Sequence, residues 1–193
     1  TSMLGEVISS DTGRNALTDI DNVDTVYFGG GTPSLPDSRL ICELLESAVK
    51  AFNISPDAEI TIEVNPSSVD PKKLSDYRRA GFNRISVGVQ SLDDKVLKTL
   101  GRLHDSKGAI SAIENIAKAG FTNISADLIT GVPGESLDGI KKDIRTFKDL
   151  GVKHISTYSL MLEKGTAFYD RYKDTIEDLI TPSVEREMYH GTR

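Results

Sequence analysis

A seven-residue pattern that occurs three times constrains the fold of this chain more than any other sequence feature. Residues 80–86 read AGFNRIS, and residues 119–125 repeat the pattern as AGFTNIS. A looser third copy, LGVKHIS, covers residues 150–156. Each copy is typical of a helix that ends on a glycine, an apolar residue that folds back onto that helix, and the start of a strand. The copies are 39 and then 31 residues apart, which favours βα units of unequal length over a solenoid.

The rest of the chain continues this alternation of short β-branched runs and helix-period segments. That pattern predicts an α/β fold of about five parallel strands with covering helices. A chain of 193 residues suits one domain and is too short for a complete eight-unit barrel of roughly 250 residues. The predicted strands are Val23–Phe28, Glu59–Val64, Arg84–Val89, Asn123–Leu128 and His154–Tyr158. The predicted helices are Asp37–Phe52, Pro71–Ala80, Asp93–Leu100, Ser106–Ala119 and Glu135–Leu150.

Charge, hydropathy and cysteine content exclude several classes of protein. The net charge is -6 and no basic cluster is present, which argues against nucleic acid as a partner. No apolar stretch reaches 18 residues, and the first ten residues resemble no export signal, so no membrane span is predicted. Cys42 is the one cysteine, which excludes an internal disulfide and agrees with a reducing, cytoplasmic setting. This chain alone therefore cannot supply a three-cysteine metal site.

Candidate site residues follow the predicted strands, because ligands of parallel α/β folds gather beyond the carboxyl ends of the strands. The first strand runs into GGGTP at Gly29–Pro33. Such glycines let backbone groups approach a ligand, and an ordinary tight turn explains them equally well. Glu63, Gln90 and Asp127 lie at the ends of the next three strands. We therefore expect these polar groups to converge on one rim of the sheet.

Each candidate also has a purely structural explanation. Glu63 suits a ligand's hydroxyl or ammonium group, and equally an ion pair with Arg84 or Arg102. Asp127 lies in an apolar run, where a carboxylate requires either a ligand or Arg102; a ligand is favoured. Gln90 suits a ligand or a cap for the next helix. Arg102 follows a glycine and either reaches a carboxylate at the rim or remains in solvent.

Two further residues favour structural roles. His104 lacks a second histidine nearby in sequence, so a capping or surface position is favoured over a metal ligand or general base. Cys42 lies in an apolar helical segment, where a small buried side chain is favoured over a reactive thiol.

Six motifs occur in a fixed order along Val23–Tyr172. They are YFGGGTPS at 27–34, EVNP at 63–66, NRISVGVQS at 83–91, LGRLH at 100–104, DLITGVPG at 127–134 and HISTY at 154–158. Each motif alone has little specificity, whereas six in this order are highly specific. The set resembles the radical S-adenosylmethionine (SAM) family of oxygen-independent coproporphyrinogen III oxidases and their haem-chaperone relatives.

The resemblance implies a partial (βα)6 barrel, similar to part of a TIM barrel, in which SAM lies across the strand ends beside a 4Fe-4S cluster. By the resemblance, Gly30, Gly31 and Thr32 hold the methionyl amine and carboxylate of SAM. Further pocket residues implied in the same way are Glu63, Gln90, Arg102 and Asp127, with a backbone contact from Met161 to the adenine. The implied family chemistry is reductive cleavage of SAM to a deoxyadenosyl radical, which abstracts hydrogen from a porphyrinogen propionate.

The sequence departs from the family in one serious respect. Members carry a CxxxCxxC motif after the first barrel strand, and this chain has none. We therefore expect a fragment with no catalytic or metal-ligating residue of its own. By the resemblance, the cluster cysteines are expected upstream of Thr1, and a C-terminal domain is expected to be missing as well.

The expected organisation is a single truncated radical SAM core domain over residues 1–193. Residues 1–22 are expected to end the helix after the cluster loop and to form a linker. Residues 23–172 form the βα units, and residues 173–193 begin a C-terminal helical region.

Two functions from different classes are compatible with the resemblance. The favoured one is a haem chaperone, because LGRLH at 100–104 and EKGT at 163–166 resemble that branch more than the oxidase branch. The alternative is a true coproporphyrinogen III oxidase, an enzyme that converts propionates to vinyls. An unrelated (βα)-barrel enzyme or binding scaffold without a cluster is a third, disfavoured interpretation. The implied partners are SAM, haem or a porphyrinogen, haem-receiving proteins and an electron donor.

Overall fold

The computed structural model describes residues 22–175 and 182–191. Five parallel strands form one sheet in the order β1-β2-β3-β4-β5, curled into a half-barrel with helices on its outer face. The strands are β1 (Val23–Phe28), β2 (Ile54–Val64), β3 (Arg84–Gln90), β4 (Asn123–Thr130) and β5 (His154–Ser159). The helices are α1 (Ser38–Ala51), α2 (Pro71–Ala80), α3 (Asp94–Thr99), α4 (Ser106–Lys118), α5 (Leu137–Asp149), α6 (Ala167–Tyr172) and α7 (Pro182–Gly191), with a 3-10 turn at Pro66–Ser68.

The sequence repeat corresponds to one type of helix C-terminus that occurs three times. Gly81, Gly120 and Gly151 end α2, α4 and α5 at φ angles of 114°, 90° and 79°, a left-handed conformation that glycine adopts without strain. The next residue donates its N–H back across the glycine to the helix, at 3.1 Å from Phe82 to Tyr77 and 3.3 Å from Phe121 to Ile116. This geometry confirms the predicted glycine cap with its folded-back apolar residue.

The hydrophobic core lies between the sheet and the helices. Alternate residues of the three central strands face the helices and are almost fully buried: Ile62, Val64, Ile85, Val87, Val89, Ile124, Ala126 and Leu128. Phe82 is completely buried among them, and its ring packs edge-on against Phe28 at 5.1 Å and Tyr77 at 5.6 Å between centroids. The intervening strand residues face the concave side, which is mostly polar.

Two predicted boundaries were wrong for local reasons. Strand β2 begins at Ile54 instead of Glu59, because Val23 pairs with Ile54 before a register shift moves the pairing to Thr25 and Glu59. Helix α5 begins at Leu137 instead of Glu135. Ser136 is its N-cap and accepts the Gly139 N–H, so the residue before it cannot be helical.

The expected division of the chain at residues 22 and 172 stays a prediction. Residues 1–21, expected to contain the end of a helix and a linker, lie outside the described residues. The expectation that cluster cysteines precede Thr1 concerns residues that this sequence does not include, so it is not tested by the structure. In the expected C-terminal region, α7 is described between residues 182 and 191.

The Phe82→Ala variant is expected to lower the free energy of unfolding by about 3–5 kcal/mol, because it leaves a cavity among aromatic rings in the core. Urea denaturation of the full chain measures this change. Leu103 is 94 % exposed, so Leu103→Ala is the control and should change stability by less than about 0.5 kcal/mol. Equal effects of the two variants would contradict this description of the core.

Candidate functional site

A cavity of about 330 Å³ opens at the carboxyl ends of the strands. Its volume lies at the lower end of the range for small-molecule sites, roughly 300–1,000 Å³. The lining residues come from all five strands or from the segments that follow them: Gly31, Thr32, Pro33, Glu63, Val64, Asn65, Gly88, Gln90, Arg102, Asp127, Ile129 and Tyr158. The predicted convergence of polar groups on one rim is therefore present in the structure.

Six of the eight predicted site residues line this cavity: Gly31, Thr32, Glu63, Gln90, Arg102 and Asp127. Gly30 lies beside it and donates its N–H to Glu63 Oε2 at 3.2 Å. Met161 is not among the lining residues and its side chain is 77 % exposed. The structure thus brings seven of the eight together, and their roles toward a ligand stay predictions.

Glu63 is held by groups from β1 and the loop that follows β1. The Tyr27 hydroxyl donates to Glu63 Oε1 at 2.8 Å, and partial burial together with this bond raises the Tyr27 pKa to about 12. A Cβ at Gly29 would lie 2.7 Å from the Tyr27 ring and 2.9 Å from Glu63 Oε1. A side chain at position 29 would therefore displace the Tyr27 ring or the Glu63 carboxylate from this arrangement, which gives the first glycine of the motif a role of its own.

The ion-pair alternatives for Glu63 are not the arrangement in the structure. Arg84 Nε lies 3.8 Å from Glu59 Oε1, and the Arg84 guanidinium donates to the Thr61 hydroxyl at 3.3 Å. Among the described residues, no ion pair joins Glu63 to Arg84 or Arg102. The carboxylate of Glu63 therefore faces the cavity with hydroxyl and amide partners only.

Asp127 is the second carboxylate of the cavity. It accepts a hydrogen bond from Ser86 Oγ, at 3.2 and 3.3 Å to its two oxygens, and Ser156 lies opposite it on β5. Burial raises the Asp127 pKa, and the two serine hydroxyls partly offset that rise. The nearby charge of Glu63 also raises it. Two carboxylates in one small cavity favour a ligand that carries hydroxyl or ammonium donors.

Gln90 ends β3 in a left-handed backbone conformation, with φ at 73°. The β3–β4 pairing shifts register between Val87 and Gln90, and a Cβ at Gly88 would lie 2.9 Å from Gln90 Nε2. Such a conformation is costly for a residue with a side chain and concentrates at functional sites. The alternative of a helix cap is wrong, because Asp93 is the N-cap of α3.

Arg102 supplies a positive charge to the cavity. Its Nε is buried and has no hydrogen-bond partner within the described part of the chain, and burial lowers the Arg102 pKa. The expected bidentate pair with a rim carboxylate is not made among those residues. A buried guanidinium N–H without an acceptor is costly, so this atom is suited to an anionic group of a ligand.

Cys42 packs on its predicted helix, whereas His104 is neither the helix cap nor the surface residue that was expected. His104 is partly buried and its Nε2 lies 3.0 Å from the Val89 carbonyl oxygen. Asp105, not His104, caps α4. Cys42 is partly buried on α1, its Sγ lies 3.7 Å from the Asp76 carbonyl oxygen, and burial raises the pKa of its thiol.

The loop after β4 depends on a partly buried carboxyl group that sequence reasoning did not identify. Glu135 accepts the N–H groups of Gly131 and Val132 at 2.8 and 3.3 Å. Burial raises its pKa to about 7, and the charges of Asp143 and Asp93 add to that rise. Its separation of four residues from Gly131 was the available signal, because a side chain at that distance can close a loop on itself.

Within residues 22–175 and 182–191, no group of three or more histidine, cysteine or acidic side chains could hold a metal ion. In the same residues, no helix is both long and apolar enough to cross a membrane.

The sheet topology and the cavity at the strand ends define a partial-barrel class of α/β protein. Comparison with protein families shows that residues 13–147 match the radical SAM superfamily. The chain belongs to that superfamily, which excludes the unrelated barrel considered above.

Within the superfamily, the chain resembles haem chaperones. It is 42 % identical over 159 residues to the heme chaperone HemW of Mycobacterium tuberculosis. This alignment covers 82 % of this chain and 40 % of the relative. It is 38 % identical over 176 residues to the heme chaperone HemW of Escherichia coli, covering 86 % and 47 %. The chain spans less than half the length of these curated relatives.

A solved structure shares the fold over nearly the whole chain. Coproporphyrinogen III oxidase (HemN) from Escherichia coli, described as a radical SAM enzyme, superposes with a TM-score of 0.80 and 26 % identity. The match covers 98 % of this chain and 43 % of that one. The expected half-barrel fold is confirmed.

Superfamily membership implies SAM and a 4Fe-4S cluster as cofactors. The cavity residues fit SAM, since two carboxylates and an unpaired guanidinium N–H suit a ligand with ammonium, hydroxyl and carboxylate groups. The residues present do not fit the cluster. Cys42 is the one cysteine of the chain, and its contact with Asp76 lies between α1 and α2. Cluster cysteines upstream of Thr1 therefore stay a prediction.

The Glu135→Gln variant is expected to have a flatter dependence of stability on pH. Because the folded-state pKa is about 7 against an ordinary value of 4.5, Glu135 contributes stability fully below about pH 4.5, and this is lost as pH rises through about 7. Urea unfolding between about pH 5 and 8 measures the slope. Glu114 is an exposed acid on α4, so Glu114→Gln should match the wild type. Parallel curves for Glu135→Gln and wild type would contradict the assignment.

Proposed function

We propose that this chain is the SAM-binding part of a radical SAM protein of haem metabolism, of the haem-chaperone type. This proposal rests on the cavity at the strand ends, which Glu63, Asp127 and Arg102 all line. Its polar groups suit the chemistry of SAM better than that of an apolar or purely anionic ligand. A neutral apolar ligand would offer the two carboxylates no hydrogen-bond donor or positive charge. A phosphate would be repelled by both of them.

From their charges, we assign the cavity residues to different parts of SAM. The backbone groups of Gly30, Gly31 and Thr32, together with Glu63, would bind the methionyl amine end. Asp127, held by Ser86, would accept hydrogen bonds from the ribose hydroxyls. Arg102 would donate to the ligand's carboxylate, and Gln90 would contact the ligand from the strained end of β3.

A contact between the Met161 backbone and the adenine stays part of the proposal. Met161 lies outside the cavity lining. A bound adenine that extends beyond the lining toward the end of β5 would reach its backbone.

SAM would bring an alkyl sulfonium that a reduced iron–sulfur cluster can cleave. This chain's residues would bind and orient SAM and shield part of it from water. None of the three cysteines of the cluster motif is present in this chain, so no further step is assigned to it.

We propose haem as the cargo, haem-requiring proteins as its recipients and an electron donor for the cluster. The support is the similarity to chaperones of that name in two organisms. A reducing, cytoplasmic setting, inferred from cysteine usage, belongs to the same proposal.

The alternative function, oxidative decarboxylation of coproporphyrinogen III, is favoured by one observation, the fold match to the oxidase at a TM-score of 0.80. A haem titration and a porphyrinogen turnover assay, both on the full-length parent protein that carries the cluster cysteines, distinguish the two. Stoichiometric haem binding without turnover supports the chaperone. Conversion of coproporphyrinogen III would support the oxidase and overturn the chaperone proposal.

The Asp127→Asn variant is expected to weaken SAM binding by roughly ten-fold or more, because a hydrogen-bonding carboxylate is lost. Haem binding should change little, since we expect haem to use another surface. Calorimetric titration of SAM and of haem into the intact parent protein measures both.

The matched control is Asp143→Asn. Asp143 is a buried acid whose pKa, like that of Asp127, is raised by burial. It accepts from the Leu92 N–H at 2.8 Å and does not line the cavity. Its variant should lose stability without selective loss of SAM. Equal weakening by the two variants would show that Asp127 acts through folding alone.

A further inference from the structure

The side chain of Lys73, in the first turn of α2, binds three consecutive backbone carbonyls. Its ammonium group donates to the carbonyl oxygens of Ser34, Leu35 and Pro36 at 2.8, 3.0 and 2.8 Å. A lysine ammonium has three N–H donors, so these contacts use its full capacity. Within the described residues, no carboxylate forms a salt bridge with it. Its charge is therefore directed at one loop of backbone.

The neighbouring Lys72 shows that this arrangement is not general for α2. Lys72 forms a salt bridge with Asp76 at 2.8 Å, and its side chain is 81 % exposed. Asp76 is mostly buried and also accepts from Ser38 and Arg79, but Lys72 makes no hydrogen bond to the Ser34–Pro36 carbonyls among the described residues. Two adjacent lysines thus differ sharply in what they contact.

The three carbonyls belong to the loop between β1 and α1, which carries the glycine-rich motif. Ser34 is almost fully buried and its hydroxyl lies 2.7 Å from Ser68 Oγ. The Leu35 N–H donates to the Thr32 carbonyl at 3.0 Å and closes a turn. The second half of the loop is therefore fixed to the β2–α2 connection and to α2.

The first half of the loop is fixed separately, through the bond from the Gly30 N–H to Glu63. Gly31, Thr32 and Pro33 lie between these two attachments, and all three line the cavity. Gly30 and Gly31 have φ angles of 86° and 62°, which glycine adopts readily. Neither residue has a side chain that could hold the backbone in place. The order of this segment depends on what holds its ends.

We propose that Lys73 is a positioning residue for the ligand cavity: it anchors the loop after β1 and pre-orders the backbone groups at Gly31 and Thr32 before ligand binds. The inference rests on the proposed SAM-binding function. Hydrogen bonds from a charged donor are about twice as strong as neutral ones. A loop that is already ordered loses less conformational entropy on binding, so its affinity for the ligand is higher.

The test compares Lys73→Met, Lys73→Arg and the adjacent control Lys72→Met in the full chain. Two quantities are measured: amide hydrogen exchange of residues 29–37 without ligand, and the Kd for SAM by calorimetry. Lys73→Met should speed exchange in that segment and weaken SAM binding by roughly ten-fold, the cost of reordering about one residue's backbone. Lys73→Arg keeps the charge and should restore part of both. Lys72→Met should match the wild type.

A thermal unfolding curve for each variant identifies general destabilisation. Lys73→Met with exchange and affinity equal to those of Lys72→Met would overturn the inference, as would faster exchange spread evenly over the whole sheet. Failure of the wild type to bind SAM would instead overturn the proposed function. Hydrogen exchange would still decide whether Lys73 anchors the loop.

Discussion

The packing of helices against one face of the parallel sheet is the constraint on which the rest of the structure depends. Ile62, Ile85 and Ile124 are buried at matching register positions on β2, β3 and β4. Because side chains alternate along a strand, a shift of one residue would expose this apolar set and bury its polar neighbours. The helix-facing core therefore fixes the register, and the register determines that Glu63 and Asp127 face the concave side.

Carboxylates in that position remain available to a ligand because of how they are held. Hydroxyl partners from Tyr27 and Ser86 orient Glu63 and Asp127 without neutralising them, and the cavity's guanidinium forms no ion pair with them among the described residues. A closed network of ion pairs would satisfy these groups internally and leave no reason for a polar ligand to bind. The cavity thus combines defined geometry with unused hydrogen-bonding capacity.

Much of the fold could be predicted because its signals are local: glycine caps, strand composition and helix period depend on neighbours in sequence. The cavity was predictable where a residue follows a strand end. The roles of Tyr27 and Ser86 were not identified, because their partners lie on other strands and depend on sheet register. Lys73 gave no sequence signal, since its acceptors are backbone carbonyls. Met161 was placed by resemblance alone, and it lies outside the cavity lining.

The central claim is that the cavity at the strand ends binds SAM through the loop after β1. Titration of SAM into the isotopically labelled full chain, followed by amide chemical shifts, tests this claim most directly. Saturable shifts are predicted at Gly30, Gly31 and Thr32 and on β3 near Gly88. No change is predicted on the outer surface between α2 and α4, where Arg78 and Lys118 lie close together. Saturable shifts confined to that outer surface, or no shifts at all, would contradict it.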